Sequence, residues 1–115
     1  MPEPTTHTLS LDTAHSGTTA VVRCNGRLIA GVHEHLYNHV SKLTPEKKRI
    51  VLDLTNLARV DSMGLGTLVR IYVHCKSANC ELQLVNLGQQ VHQLLGTTNL
   101  LKVFAVVGEH GVKLG

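Results

Sequence analysis

The run from Ile50 to Gly66, Ile-Val-Leu-Asp-Leu-Thr-Asn-Leu-Ala-Arg-Val-Asp-Ser-Met-Gly-Leu-Gly, constrains the fold more than any other part of this chain. Its opening, Ile50 to Leu54, is a β-branched, apolar core of strand length, which is the composition of a buried parallel strand. Thr55 and Asn56 interrupt the apolar run and predict a loop. Leu57 and Val60 then lead into Asp61-Ser62, after which apolar residues recur with a helical period from Met63 to about Lys76. The order is therefore strand, loop and helix, with Ser62 at the expected helix start. Serine is a favoured N-cap because its hydroxyl accepts an orphan backbone N–H of the first turn. Gly64 and Gly66 fall in that turn, where each costs up to about 1 kcal/mol relative to alanine. Their benefit must be steric, since a helix start without Cβ atoms admits close approach by another backbone or a bulky group. A hydroxyl at a bare helix N-terminus is also well placed to carry a phosphate.

The remaining segments fit around this unit. Residues 1 to 6, with both early prolines, predict a frayed leader. Thr8 to Asp12 alternates polar and apolar, as a half-buried edge strand does. A turn at His15-Ser16-Gly17 joins it to a second strand, Thr19 to Cys24, which ends at the turn signal Asn25-Gly26. From Gly31 to about Leu43, Val32, Leu36, Val40 and Leu43 form one apolar stripe on an amphipathic helix, stopped by Thr44-Pro45. On the helix after Ser62, the expected core face is Leu65, Leu68, Val69, Tyr72 and Val73 or Cys75. Glu81 to Val85 is a further strand. Val91, Leu94 and Leu95 define a short helix, Gly96 to Asn99 a break, and Val103 to Val107 a last strand before a mobile tail from Gly108. Helices alternating with strands after an opening hairpin imply an α/β fold with a largely parallel central sheet and right-handed crossovers. No internal repeat or second domain is visible, so one domain is expected, with its core over about residues 8 to 107.

Composition excludes several classes. Hydrophobic residues make up 43% but aromatic residues only 3%, so the core must be aliphatic. The formal charge is +3, and Lys47-Lys48-Arg49 is the one dense basic run; without interleaved aromatics, nucleic-acid binding has little support. No apolar run approaches the roughly 18 residues of a membrane span. The N-terminus lacks the basic and apolar regions of a signal peptide, and a cytoplasmic location is expected. The three cysteines form neither a disulfide framework nor a zinc pattern.

The remaining constellations read as structural. His35 and His39 lie four apart with His33 nearby, yet no H-E-x-x-H and no third ligand accompanies them, so a solvated helix face is expected and no metal. Cys75 and Cys80, five apart, match no redox C-x-x-C and are expected to pack. The context of Ser62, Val-Asp-Ser-Met-Gly, lacks the first glycine of a hydrolase elbow, and no catalytic residue is assigned. Gly64-Leu65-Gly66 is not a dinucleotide fingerprint, because Val69 stands where the third glycine is needed; no cofactor is expected. Lys47-Lys48-Arg49 reads as a solvated loop, with an electrostatic docking role as the alternative.

These residues also carry a resemblance. Val51-Leu52-Asp53-Leu54 followed by Val60-Asp61-Ser62-Met63-Gly64-Leu65-Gly66 resembles the signature of the STAS domain of bacterial anti-sigma factor antagonists. Cys24-Asn25-Gly26-Arg27-Leu28 is similar to that family's second strand and following turn. Glu81 to Leu87, Val91, Leu94-Leu95, Thr98-Asn99-Leu100 and Val103-Phe104 look like its C-terminal half. The resemblance implies a STAS fold and a non-enzymatic, partner-switching regulator of transcription. Such an antagonist binds an anti-sigma factor that is also a serine kinase, and so frees a sigma factor. The kinase phosphorylates the serine after the aspartate, here Ser62, and a phosphatase restores the binding form. By the same resemblance, Asp61 positions the serine, and Asp61, Ser62, Met63, Gly64, Leu65 and Gly66 form the partner-binding element. The chain departs from the pattern at Ile29, where classical antagonists carry an acidic residue, and at Met63, where Ser or Thr is frequent. The alternative is a STAS domain that is not phosphorylated and serves as an interaction or small-ligand-sensing module, with Ser62 only a helix cap.

Overall fold

The computed structural model describes residues 9–97 and 105–107. The elements run β1 (Leu9–Ser16), β2 (Thr19–Leu28), α1 (His33–Leu43), β3 (Arg49–Val60), α2 (Ser62–Ser77), β4 (Glu81–Val85), α3 (Gln89–Thr97) and β5 (Ala105–Val107). One five-stranded sheet has the order β1-β2-β3-β4-β5. The β1–β2 pairing is an antiparallel hairpin, turned at Gly17 with φ 60°, and the other pairings are parallel. A two-residue hairpin loop favours glycine at such a position because only there is positive φ free of steric cost. The α/β class, the opening hairpin and the parallel order all agree with the sequence.

The core follows from register. Ala20 and Val22 pair with Ile50 and Leu52, which pair in turn with Leu82 and Leu84, so one sheet face carries a continuous aliphatic stripe. Leu36 and Val40 of α1, Leu68 and Ile71 of α2, and Val91 and Leu95 of α3 join this stripe in a single buried cluster. Val32, Leu43, Leu65, Tyr72 and Leu94 pack half-buried against it. Cys24, Cys75 and Cys80 are buried thiols, and burial pushes the Cys24 and Cys75 thiols up to about 12, so they pack as small apolar groups. Helices α1 and α2 are further joined across their surfaces. Arg70 donates to Glu34 at 2.6 Å and lies 4.2 Å from the Tyr37 ring centroid, and Tyr37 meets His74 edge-on.

Four expectations are corrected. Thr55 to Val60 is not a loop; β3 continues to Val60, paired with β2. Between the pairs Arg23–Asp53 and Asn25–Asn56, three steps of β3 match two of β2, and between Gly26–Leu57 and Arg27–Arg59 two steps match one. Each irregularity adds a residue to β3, so neighbours such as Thr55 and Asn56 can both face outward, which a regular pleat forbids. For the same reason Asn25-Gly26 does not turn the chain. It lies within β2, with Gly26 at φ 108° and the Asn56 side-chain Nδ2 donating to Asn25 Oδ1 at 2.9 Å.

The face of α2 is partly rotated from the one expected, with Leu68 and Cys75 buried as foreseen and Leu65 and Tyr72 half-buried against the core. Its buried residues are Gly64, Thr67, Leu68, Ile71 and Cys75, whereas Val73 is 55% exposed and Val69 only half-buried. The small residues Gly64 and Thr67 let the helix start sit close to the sheet, which turns the larger Val69 and Val73 outward. The fourth correction concerns the helix cap, and it belongs to the site itself. Thr8, Thr98 to Phe104, the leader and the tail lie outside the described residues.

The histidine and lysine readings gain detail. His39 Nε2 shares a 2.6 Å hydrogen bond with Thr13 Oγ1, which ties α1 to the hairpin. Lys47 donates to the Gly17 carbonyl, and Arg49 begins β3 in a 3.1 Å ion pair with Glu81. Among the described residues, no group of three His, Cys, Asp or Glu could hold a metal ion. No helix there is long and apolar enough to cross a membrane.

Candidate functional site at the start of helix α2

The bulged end of β3 delivers the chain to α2 through a single residue, Asp61. That residue, not Ser62, is the N-cap. Asp61 has extended φ/ψ, its Oδ1 accepts from Gly64 N at 2.9 Å, and its carbonyl accepts from Leu65 N. Aspartate and serine cap about equally well, so two adjacent cap formers left the choice open in the sequence. A long-range contact decides it: the second oxygen, Oδ2, accepts from Ala30 N at 3.0 Å. One carboxylate thus ties the α2 start to the loop between β2 and α1. Donation by Ala30, then by Gly64 and Met63, holds the Asp61 carboxyl below the usual carboxylate range, with His33 adding to the effect. With both oxygens engaged by backbone N–H groups, Asp61 fixes the helix start, and no hydrogen bond joins it to the Ser62 hydroxyl among the described residues.

Ser62 is the first residue of α2 and is exposed. Released from capping, its hydroxyl has no hydrogen-bond partner among the described residues. Met63 beside it is 48% exposed, an unusual setting for so large an apolar side chain. Leu65 is half-buried and Gly66 exposed, so Ser62, Met63 and Gly66 present an open surface, while Gly64 is turned inward.

The two glycines therefore have different roles, which sequence reasoning had taken as one. A Cβ on Gly64 would overlap the Leu28 carbonyl and come within 2.9 Å of its Cγ, so this glycine is what lets α2 close on β2. A Cβ on Gly66 would meet nothing within 4 Å. Within the chain the close approach is made at Gly64, and no described residue makes one at Gly66.

Beyond Ile29, sequence reasoning missed the residues that frame the site from the β2–α1 loop and the start of α1. Ile29 and Ala30 reach it through the Ala30–Asp61 bond, which places the divergent Ile29 loop against the helix start. His33 is mostly enclosed: its Nδ1 is buried without a hydrogen-bond partner, and its Nε2 lies 3.6 Å from Glu34. Local patterning could not reveal these, because they arrive by a crossover from another strand.

Comparison with known proteins agrees with this architecture. The chain is 26% identical over 90 residues to a STAS-domain containing protein of Pseudomonas aeruginosa (strain UCBPP-PA14), spanning 78% of this chain and 89% of that protein. Its fold is similar to the crystal structure of an anti-sigma factor antagonist from Mycobacterium paratuberculosis, with TM-score 0.77, 18% identity, and 92% and 89% of the two chains covered. It is also similar to the anti-sigma factor antagonist SpoIIAA in its unphosphorylated form, with TM-score 0.72, 18% identity and 90% of each chain covered. The phosphorylated form of the Bacillus SpoIIAA matches with TM-score 0.68, 17% identity, and 90% and 94% coverage. The STAS domain family model matches residues 10–111, nearly the whole chain, and with the bulged strand, the Asp61-capped helix and the hairpin-led parallel sheet it places this chain in the STAS domain family.

Proposed function

We propose that this chain is an anti-sigma factor antagonist of the bacterial cytoplasm, switched by phosphorylation of Ser62. In its unmodified form it binds an anti-sigma factor that is also a serine kinase, through Asp61 to Gly66, and so releases a sigma factor. The kinase transfers the γ-phosphoryl group of ATP to Ser62 Oγ, which gives up its proton, and a phosphatase hydrolyses the ester to restore binding. The observation that carries this reading is an exposed seryl hydroxyl with no structural duty, beside an exposed methionine, on a helix start pinned by the neighbouring aspartate. A phosphoryl group there adds about −1.5 to −2 charges and considerable bulk, which spoils a close protein contact and repels acidic groups opposite. The helix dipole favours that charge within this chain, so modification costs the partner contact and not the fold.

Ile29 favours the second reading, an unswitched interaction or small-ligand module, since it leaves the loop beside Ser62 without a carboxylate. The premise that Ser62 serves only as the cap does not match the geometry, because Asp61 fills that role. Incubation with the partner kinase and ATP is expected to add the mass of one phosphoryl group to the intact protein, and none to Ser62→Ala. An unmodified wild type would favour the second reading.

A further inference from the structure

The five arginines of this chain divide into two kinds. Arg23 lies 3.5 Å from Asp53, Arg49 3.1 Å from Glu81 and Arg70 2.6 Å from Glu34. Arg27 and Arg59 have no carboxylate partner among the described residues, and these two are direct partners in the β2–β3 register. Both are exposed, while the next registered pair, Leu28 and Val60, is buried, so the two guanidinium groups leave the same outer face. Neighbouring strands lie about 5 Å apart, and like charges placed directly across them repel. The second β3 irregularity is what brings them together: without the added residue, Arg27 would stand opposite Ala58. Asp61, two residues on, is engaged by Ala30 N and Gly64 N and forms no ion pair with either arginine among the described residues.

The β4 pairing ends at Asp53–Val85, so Arg59 lies beyond β4 among the described residues. Two residues separate Arg59 from Ser62, a Cα–Cα span of at most about 11 Å.

We infer that Arg27 and Arg59 form an electrostatic docking pair for an acidic segment of a protein partner, on the surface that adjoins Ser62. This deepens the proposed function, because it names the charge the partner must bring to that surface. An arginine fork donates two hydrogen bonds at a time to a carboxylate, and an acidic side chain set between the two cations would offset their mutual repulsion. A nucleic acid is the poorer fit: the net charge is only +3, and two tyrosines and one phenylalanine give little for bases to stack on.

The test uses the full chain, labelled for NMR, with an oligoglutamate peptide and, separately, an oligothymidylate strand as probes. Oligoglutamate is expected to shift the amides of Arg27, Arg59 and their strand neighbours, and the response should fade at high salt. In Arg59→Glu the response should fall about tenfold or more. The melting temperature of that variant should rise by a few degrees, since Arg27 gains an opposite charge across the strand. Shifts centred on Lys47 to Arg49, no response at all, a stronger response to oligothymidylate at equal salt, or a lowered melting temperature in Arg59→Glu would each overturn the inference. None of these outcomes depends on Ser62, so failure of the phosphorylation reading shows separately in the kinase assay.

Discussion

Gly64→Ala is expected to destabilise the fold by about 3 kcal/mol, whereas Gly66→Ala, one helical step away, is expected to stabilise it by up to about 1 kcal/mol. The methyl group added at Gly64 falls on the Leu28 carbonyl, with the Leu28 carbonyl carbon 2.8 Å away and Cγ 2.9 Å. That backbone cannot yield cheaply. Leu28 is paired with Val60, its carbonyl accepts from Asp61 N at 3.3 Å, and its side chain is fully buried. Relief requires α2 to lift from β2, which opens the core and displaces Asp61 and Ser62 together. At Gly66 the added methyl meets open space and only the propensity gain remains. Urea titrations of the two variants check both signs. With about 4 °C or more per kcal/mol for a domain of this size, their melting temperatures should diverge by more than 10 °C or so. Equal effects at the two positions would show that α2 does not approach β2 as described.

Leu68→Ala carries the second large effect. Leu68 is fully buried in the cluster shared by the sheet and the helices, and its truncation should cost about 3 kcal/mol through lost burial and a partly unrelaxed cavity. A domain of this length has roughly 6 to 17 kcal/mol of stability in all, so the loss is a substantial share. Val73→Ala, on the same helix but 55% exposed, should stay within about 0.5 kcal/mol of the wild type. The pair reads out the orientation of α2. A large cost at Val73 and a small one at Leu68 would contradict this orientation of α2.

That rotation shows which features are legible in a single sequence. The order of strands and helices was, because each crossover element carries its own apolar period. Leu36 and Val40 in α1 and Leu82 and Leu84 in β4 are buried as their spacing demands. The face of α2 was ambiguous, because apolar residues occupy nearly every position from Leu68 to Val73 and only contact with Leu28 selects among them. The length of β3 was hidden for a different reason. Thr55-Asn56 and Ala58-Arg59 are consecutive outward residues, and a two-residue period reads such doublets as loop until the bulges are known. Within the site, Ser62 and its exposed surroundings were legible from the Asp-Ser-x-Gly-Leu-Gly pattern. The cap was not, since the choice of Asp61 rests on Ala30, far away in sequence. The Arg27–Arg59 pairing was equally out of reach, as it depends on a register that two added residues have shifted.

Calorimetric titration of the partner kinase with the wild type and with Ser62→Asp tests the central claim most directly. The substitution leaves the Asp61 cap and the Gly64 contact in place and adds one negative charge to the exposed helix start. The account predicts that affinity falls at least about tenfold, or about 1.4 kcal/mol, while the melting temperature of the free protein stays near that of the wild type. An unchanged dissociation constant would contradict it, because the partner would then be bound somewhere other than the surface around Ser62.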